Sequence, residues 1–263
     1  MGVGEVKSMI ILGYGGLTCY YYGTMHGQKR PELLDLLGRS PLFKGAEETE
    51  LEAALAVAKH SQLERGEFFF HQGEPADYFY VIIEGQVRLS QLTAEGHQVI
   101  IHFMGPGDGM GIIVALSGTP YPLSAEVVTD CTALRWDYDS TLELMATSPK
   151  LAMNGLRLVG RRFQELQERY LELSTERVER RVARALLRLA RQTGKRVDKG
   201  VLLDLQISRR DLGEMTGTTL YTVSRILSSW EQRELIETGR ERIIIRQPHE
   251  LVSIAEDLPR KDS

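Results

Sequence analysis

Arg225 is the residue best suited to chemistry in this sequence, and it lies in the stretch SRRDLGEMTGTTLYTVSRILSSW, which runs from Ser208 to Trp230. A guanidinium presents its donors in a fixed fork, and that fork matches N7 and O6 of guanine in the major groove of DNA. Ser224 beside it carries a hydroxyl for a base edge or for thymine. Thr218, Thr219 and Thr222 can donate to phosphate or touch thymine methyl groups. Tyr221 stands one helical turn before Arg225. Ser208 and Arg209 lie where a helix would begin, and backbone N–H groups together with a cation suit phosphate there. Residues that only cap helices or face water would be of the same types, so the elements that hold them decide their meaning.

The spacing predicts two helices joined by a tight turn. Leu212 and Met215 fall on one face of a first helix, and Leu220, Val223, Ile226 and Leu227 on one face of a second. Ser208 with Asp211 three residues on forms a helix-start signal. Gly217 suits a turn that needs positive φ, and Thr218 or Thr219 can cap the second helix. The second helix then shows Tyr221, Thr222, Ser224 and Arg225 on its other faces, as a reader of double-stranded DNA requires.

The charge distribution agrees. The 263 residues carry a net charge of -4, which alone would argue against nucleic acid. From Arg157 to Arg233, however, 17 Lys and Arg stand against 10 Asp and Glu, and the rest of the chain holds 15 against 26. One basic segment inside an acidic protein suggests that this segment meets phosphate. A content of 42% apolar and 26% charged residues is that of a globular protein long enough for two domains. The two cysteines, Cys19 and Cys131, form no CxxC or four-ligand set, so neither an iron–sulfur cluster nor a structural zinc is expected. Two distant thiols fit a reducing cytoplasm. No apolar run is long enough to span a bilayer, so no membrane partner is expected.

Residues 1–30 read as a loose extension, with Met25 a candidate start because the following HGQKRPELLDLLGRSPLF already resembles the opening helix of a domain. Helical spacing follows at Leu33, Leu36 and Leu37, then at Leu51, Leu55 and Val57. From Ser61 to Asp137 short β-rich runs (FFF, YFYVII, VRLSQL, QVIIHF, EVV, ALRW) alternate with glycine turns at Gly66, Gly73, Gly85, Gly96, Gly105 to Gly109 and Gly118. That texture predicts an antiparallel barrel or jelly roll. Pro149 opens a long helix on which Leu156, Val159, Phe163, Leu166, Tyr170 and Leu173 alternate by three and four. Densely charged flanks favour a two-stranded seam, hence a homodimer, over a helix packed on its own domain. A basic amphipathic helix (ERVERRVARALLRLARQTG) comes next, then the helix-turn-helix, then a hairpin in LIETGRERIIIR with its turn near Gly239.

In this order the parts resemble the CRP/FNR family of bacterial transcription regulators. In the roll, FFFHQGEPADYFYVIIEGQVRLS and GPGDGMG look like the family's β-roll turns, and SRRDLGEMTGTTLYTVSRILSSWEQRELIE resembles its DNA-binding segment throughout. The resemblance implies an α+β fold: a β-roll sensor similar to cyclic-nucleotide-binding domains over 31–148, a dimerisation helix over 149–175 and a winged helix-turn-helix over 176–263. It also implies a cytoplasmic homodimer, a palindromic promoter site, an activator's contact with RNA polymerase, and control by an effector in the roll. Ser224 and Arg225 match the family's Ser-Arg pair. Tyr221 departs from the glutamate common among its members, so the half-site is expected to differ at the base which that residue meets.

The sensor departs further. Members that bind cyclic nucleotides carry a glutamate for the ribose and an arginine for the cyclic phosphate, but the corresponding positions here read Gly111–Ile112 and Leu123–Ser124. A buried phosphate without a cation is costly, so no tight cyclic AMP binding is expected. The expected pocket is apolar, formed by His71, Met110, Ile112, Ile113, Val114, Leu123 and Ser124. The segment MTGTTLYTVSR is similar to that of nitrogen-oxide-responsive members, which implies haem as a candidate cofactor, with His71, His97 or His102 as axial ligand. Another small apolar effector, or none, is the alternative. An enzyme subunit gated by a cyclic nucleotide is disfavoured, because no P-loop, GxSxG or HExxH motif is present once the two domains are assigned. A DNA-binding protein of the same fold that responds to no effector remains the competing function.

Overall fold

The computed structural model describes residues 8–10, 19–21, 30–112, 118–239 and 242–258. They form two compact units, one built from residues up to Gln91 and from His102 to Arg162, the other from Leu92–Ile101 and from Phe163 onward. Within the segment read as a loose extension, β1 (Ser8–Ile10) pairs antiparallel with β2 (Cys19–Tyr21). That segment therefore contains a strand pair; its Gly- and Tyr-rich composition gave no alternation from which to read one.

From Arg30 on, α1 (Arg30–Arg39) and α2 (Glu48–Val57) precede an antiparallel roll of β3 (Lys59–Leu63), β4 (Phe68–Phe70), β5 (Tyr78–Leu92), β6 (Gln98–Met104), β7 (Gly109–Met110) and β8 (Ser124–Asp137), all in the first unit except Leu92 and Gln98–Ile101. The order runs β3-β8-β5-β6, with β4 also on β8 and β7 on β5. Gly85 is not a turn between two strands. It sits in a bulge inside β5, and the runs YFYVII and VRLSQL are one strand of 15 residues. At φ +92°, an added Cβ at Gly85 would lie 2.4 Å from the Asp130 carbonyl oxygen and 2.7 Å from Cys131 Cα. Only glycine allows that approach of backbone to backbone.

Two apolar clusters fill this unit. Leu33, Leu37, Leu51 and Leu55 from the helices meet Phe79, Ile112 and Trp136 in one of them. The Trp136 Nε1–H donates to the Ala54 carbonyl at 2.8 Å, which satisfies the indole inside the core. Phe70, Tyr80, Met104, Met110 and Tyr121 lie in the other. After the roll, α3 (Tyr138–Thr147) leads to the 27-residue helix α4 (Pro149–Thr175).

The second unit takes in α4 from Phe163 on. Glu172 of α4 and Glu176 just beyond it bind cations of α5 (Val178–Thr193): Arg188 Nη1 is 2.7 Å from Glu172 and Arg184 Nε 3.2 Å from Glu176. A hairpin, β9 (Gly194–Val197) and β10 (Gly200–Leu203), follows, and the sequence reading missed it. All four β9 residues are exposed, so GKRV carries no apolar alternation to betray a strand. Then come α6 (Arg209–Thr216), α7 (Leu220–Gln232), β11 (Ile236–Gly239), β12 (Arg242–Ile245) and α8 (Pro248–Glu256). Strands β11 and β12 are the expected wing; Gly239 pairs with Arg242, and the sheet order is β11-β12-β10-β9.

Candidate nucleic-acid interface

The helix-turn-helix is held by the residues its spacing singled out. Ser208 and Asp211 form a reciprocal capping box: the serine Oγ accepts from Asp211 N at 3.1 Å, and Asp211 Oδ2 accepts from Ser208 N at 2.8 Å. The Ser208 backbone N–H is thus occupied, and its hydroxyl proton is what it can offer a phosphate. Gly217 ends α6 in the left-handed conformation at φ 60°. Gly213 lets the two helices approach, since a Cβ there would lie 2.9 Å from the Thr218 carbonyl oxygen. Thr219 caps α7 by accepting from Thr222 N at 3.2 Å, and the two threonine hydroxyls lie 3.0 Å apart.

Some positions differ from expectation. Val223 and Leu227 are fully buried and Ile226 half-buried, but Leu220 is 51% exposed and does not join the apolar face. It lies in the first turn of α7, just beyond the cap, and next to Tyr221, which is 76% exposed. Arg225 is exposed one turn beyond Tyr221, and Ser224 and Thr222 are half-buried. These side chains, with Thr218 at the turn, are all exposed or half-buried. Arg209 also makes internal contacts, because its guanidinium lies 3.3 Å from Thr238 Oγ1 and 3.8 Å from Glu231 Oε2.

Three residues the sequence reading missed tie α7 and the turn before it to neighbouring elements. Glu231 Oε1 accepts from both N and Oγ1 of Thr238, at 3.0 and 2.6 Å, and so ties the end of α7 to the wing. Arg181 of α5 donates to the carbonyls of Thr216 at 3.0 Å, Gly217 at 3.4 Å and Glu176 at 2.9 Å, and so clamps the turn. Glu179 accepts from the Trp230 indole at 2.9 Å. Each is a charged residue on a basic, amphipathic stretch, where the sequence alone reads as solvated surface.

The described members of the expected effector set are spread over more than one cluster. Met110 faces the cluster of Phe70 and Tyr121, whereas Ile112 belongs to the cluster of Trp136. Gly111 between them, at φ +88°, turns the chain. Ile113 and Val114 lie outside the described residues. Leu123 is half-buried, and Ser124 Oγ accepts from Gln72 N at 3.0 Å, which fastens the HQGE turn to β8. His71 is exposed, with its ring 4.4 Å from that of Phe68. Phe70 stacks on Tyr121 at 3.8 Å, and burial pushes the Tyr121 hydroxyl up to about 12. Burial likewise pushes the Cys131 thiol up to about 12, so it stays protonated and unreactive at neutral pH.

Residues 60–148 match the cyclic nucleotide-binding domain, and residues 180–254 match the Crp-like helix-turn-helix domain. The cyclic AMP receptor protein of Thermus thermophilus is 30% identical over 216 residues, which cover 82% of this chain and 97% of that protein. The nitrogen fixation regulation protein FixK of Azorhizobium caulinodans is 31% identical over 69% of this chain and 72% of its own length. The solved structure of FixK2 from Bradyrhizobium japonicum, 27% identical, superposes with a TM-score of 0.68 and covers 79% of this chain and 100% of that one. With a roll of the cyclic-nucleotide-binding type, a capped helix-turn-helix and a wing in this order, the chain belongs to the CRP/FNR family of DNA-binding transcription regulators.

Proposed function

We propose that the chain acts as a homodimer whose two α7 helices enter successive major grooves of a palindromic promoter site. The observation that carries this is the seam on α4: Leu156, Phe163, Leu166, Tyr170 and Leu173 are each more than half exposed in the single chain, at heptad spacing. A symmetric partner helix would cover them, and half-sites would lie about 34–36 Å apart. The reading places the protein in the cytoplasm, with promoter DNA and RNA polymerase as partners and no catalytic role; among the described residues no helix is long and apolar enough to cross a membrane.

Arg225 is the main base reader. Arg225→Ala should cost about 1–3 kcal/mol on the cognate site and relax base choice at one position. Titration of a selected duplex at fixed salt checks this, and an unchanged affinity and base profile would remove Arg225 from the readout.

The roll governs DNA affinity through an effector other than cyclic AMP. The Thermus relative is named a cyclic AMP receptor, but here Ile112 and Leu123 stand where the resemblance puts the ribose and phosphate partners. Haem fits the described residues poorly. His71 and His97 are exposed, and His102, the buried candidate, has its Nε2 2.8 Å from Arg162 Nη1. The second reading is a DNA-binding protein of the same fold that responds to no effector. A visible spectrum of anoxic protein titrated with haem and then nitric oxide, beside DNA affinity, separates them. A stoichiometric Soret band that shifts with the gas and changes affinity would establish a haem sensor of nitrogen oxides. Tight specific binding by apo-protein, indifferent to haem and to cyclic AMP, would establish the second reading.

A further inference from the structure

We infer that Leu220, with Tyr221 beside it, forms an apolar seat for the 5-methyl group of a thymine in each half-site, and so sets a second specificity position apart from the one Arg225 reads. The inference rests on the DNA-binding role of α7.

The first turn of α7 commits two of its hydroxyls to the helix cap. Thr219 Oγ1 accepts from Thr222 N at 3.2 Å and lies 3.0 Å from Thr222 Oγ1, so the two threonines serve the cap. Two large side chains remain outside, Leu220 at 51% and Tyr221 at 76% exposure. Neither has a structural use there: the buried face of α7 is supplied by Val223, Leu227 and Trp230. Two large apolar groups left in water in the first turn of the helix that carries Arg225 fit an apolar feature on the DNA. The major groove offers one, the thymine methyl, which projects among the donors and acceptors of the base edges. The N-terminal residues of a recognition helix are those that contact base edges, which puts Leu220 and Tyr221 within reach.

The geometry also gives the position. Leu220 precedes Arg225 by five residues and Tyr221 by four, a rise of about 6–8 Å along the helix, which spans roughly two base steps at about 3.4 Å each where the helix follows the groove. The methyl should therefore lie about two base pairs from the guanine that Arg225 reads. Burying one methyl against carbon corresponds to about a four-fold change in affinity, and two half-sites together to about fifteen-fold.

Deoxyuridine isolates this effect, because it pairs like thymidine and lacks only the methyl. Duplexes selected by the wild-type protein from a randomised pool would be remade with each thymine replaced in turn by deoxyuridine, and affinity measured at fixed salt. The expected result is one sensitive position per half-site, about two base pairs from the base whose identity Arg225→Ala ceases to read. The Leu220→Ala, Tyr221→Ala double variant should bind thymine and deoxyuridine duplexes alike; both residues are exposed, so its fold is kept. Wild-type protein indifferent to every replacement, or a double variant that still discriminates, overturns the inference and leaves the DNA-binding reading intact. If no sequence is enriched in the selection, that reading fails as well.

Discussion

Phe163→Glu should convert the protein to a monomer and lower its affinity for a palindromic site by about a hundred-fold or more. Phe163 is 59% exposed on α4, in line with Leu156 a heptad before it and Tyr170 a heptad after. In a symmetric two-stranded seam this position meets its own copy, so the substitution places two carboxylates face to face in an apolar contact. A carboxylate cannot be buried there unpaired, and the helices should separate. DNA affinity falls because the second half-site is then no longer an intramolecular partner, and linkage of this kind is worth about 10²–10⁴ in affinity. Gln164→Glu makes the same charge change at the next, also exposed residue, off the seam, and should leave assembly unchanged. Light scattering gives the mass, and titration of one-site and two-site duplexes gives the linkage. If Phe163→Glu protein stays dimeric and binds the palindrome like wild type, the seam on α4 is not the dimer contact.

What could be read in advance follows a physical line. The capping box of Ser208 and Asp211, the left-handed Gly217 and the Gly239 hairpin turn were legible because each depends on residues three or four apart, and local geometry restricts the residue types. The wing and the roll were legible because short β-rich runs stand between glycine turns. The β9–β10 hairpin was not, since β9 is wholly exposed and its pairing with β10 leaves no pattern in sequence. Gly85 looks like a turn and is a bulge; the difference lies in Asp130 and Cys131, some 45 residues away. Leu220 matched the apolar period of α7 and yet points outward, because the first turn of a helix has no preceding turn to complete its buried face. The same distance problem hid Glu231, Arg181 and Glu179, which act through tertiary partners. Met110 and Ile112, both expected at the pocket, lie in different clusters on either side of Gly111, whose φ is positive.

Trp230→Ala should destabilise the second unit by about 3–5 kcal/mol, the range for removing a buried aromatic side chain from a core. Trp230 is fully buried near the end of α7, in a unit whose other buried residues include Val182, Leu186, Leu212 and Leu227. Its indole N–H also reaches Glu179 at 2.9 Å, so it links the recognition helix to α5 by packing and by one charge-assisted hydrogen bond. Trp230→Phe separates the two contributions. It keeps most of the carbon and loses the donor, and because Glu179 is exposed, water can take the vacant acceptor. That variant should lose about 1 kcal/mol from the missing bond, with a further small loss from the smaller ring. Trp136, the other tryptophan, lies in the first unit and reports on that unit alone once Trp230 is gone. Urea titration followed by hydrogen exchange of α5, α6 and α7 amides should show their protection lowered by the predicted amount, with the Trp136 fluorescence transition little changed. Specific DNA binding should fail at lower temperature in Trp230→Ala than in Trp230→Phe. Equal stability of the two variants would mean that the hydrogen bond to Glu179, and not the packing of the ring, holds α7 in place.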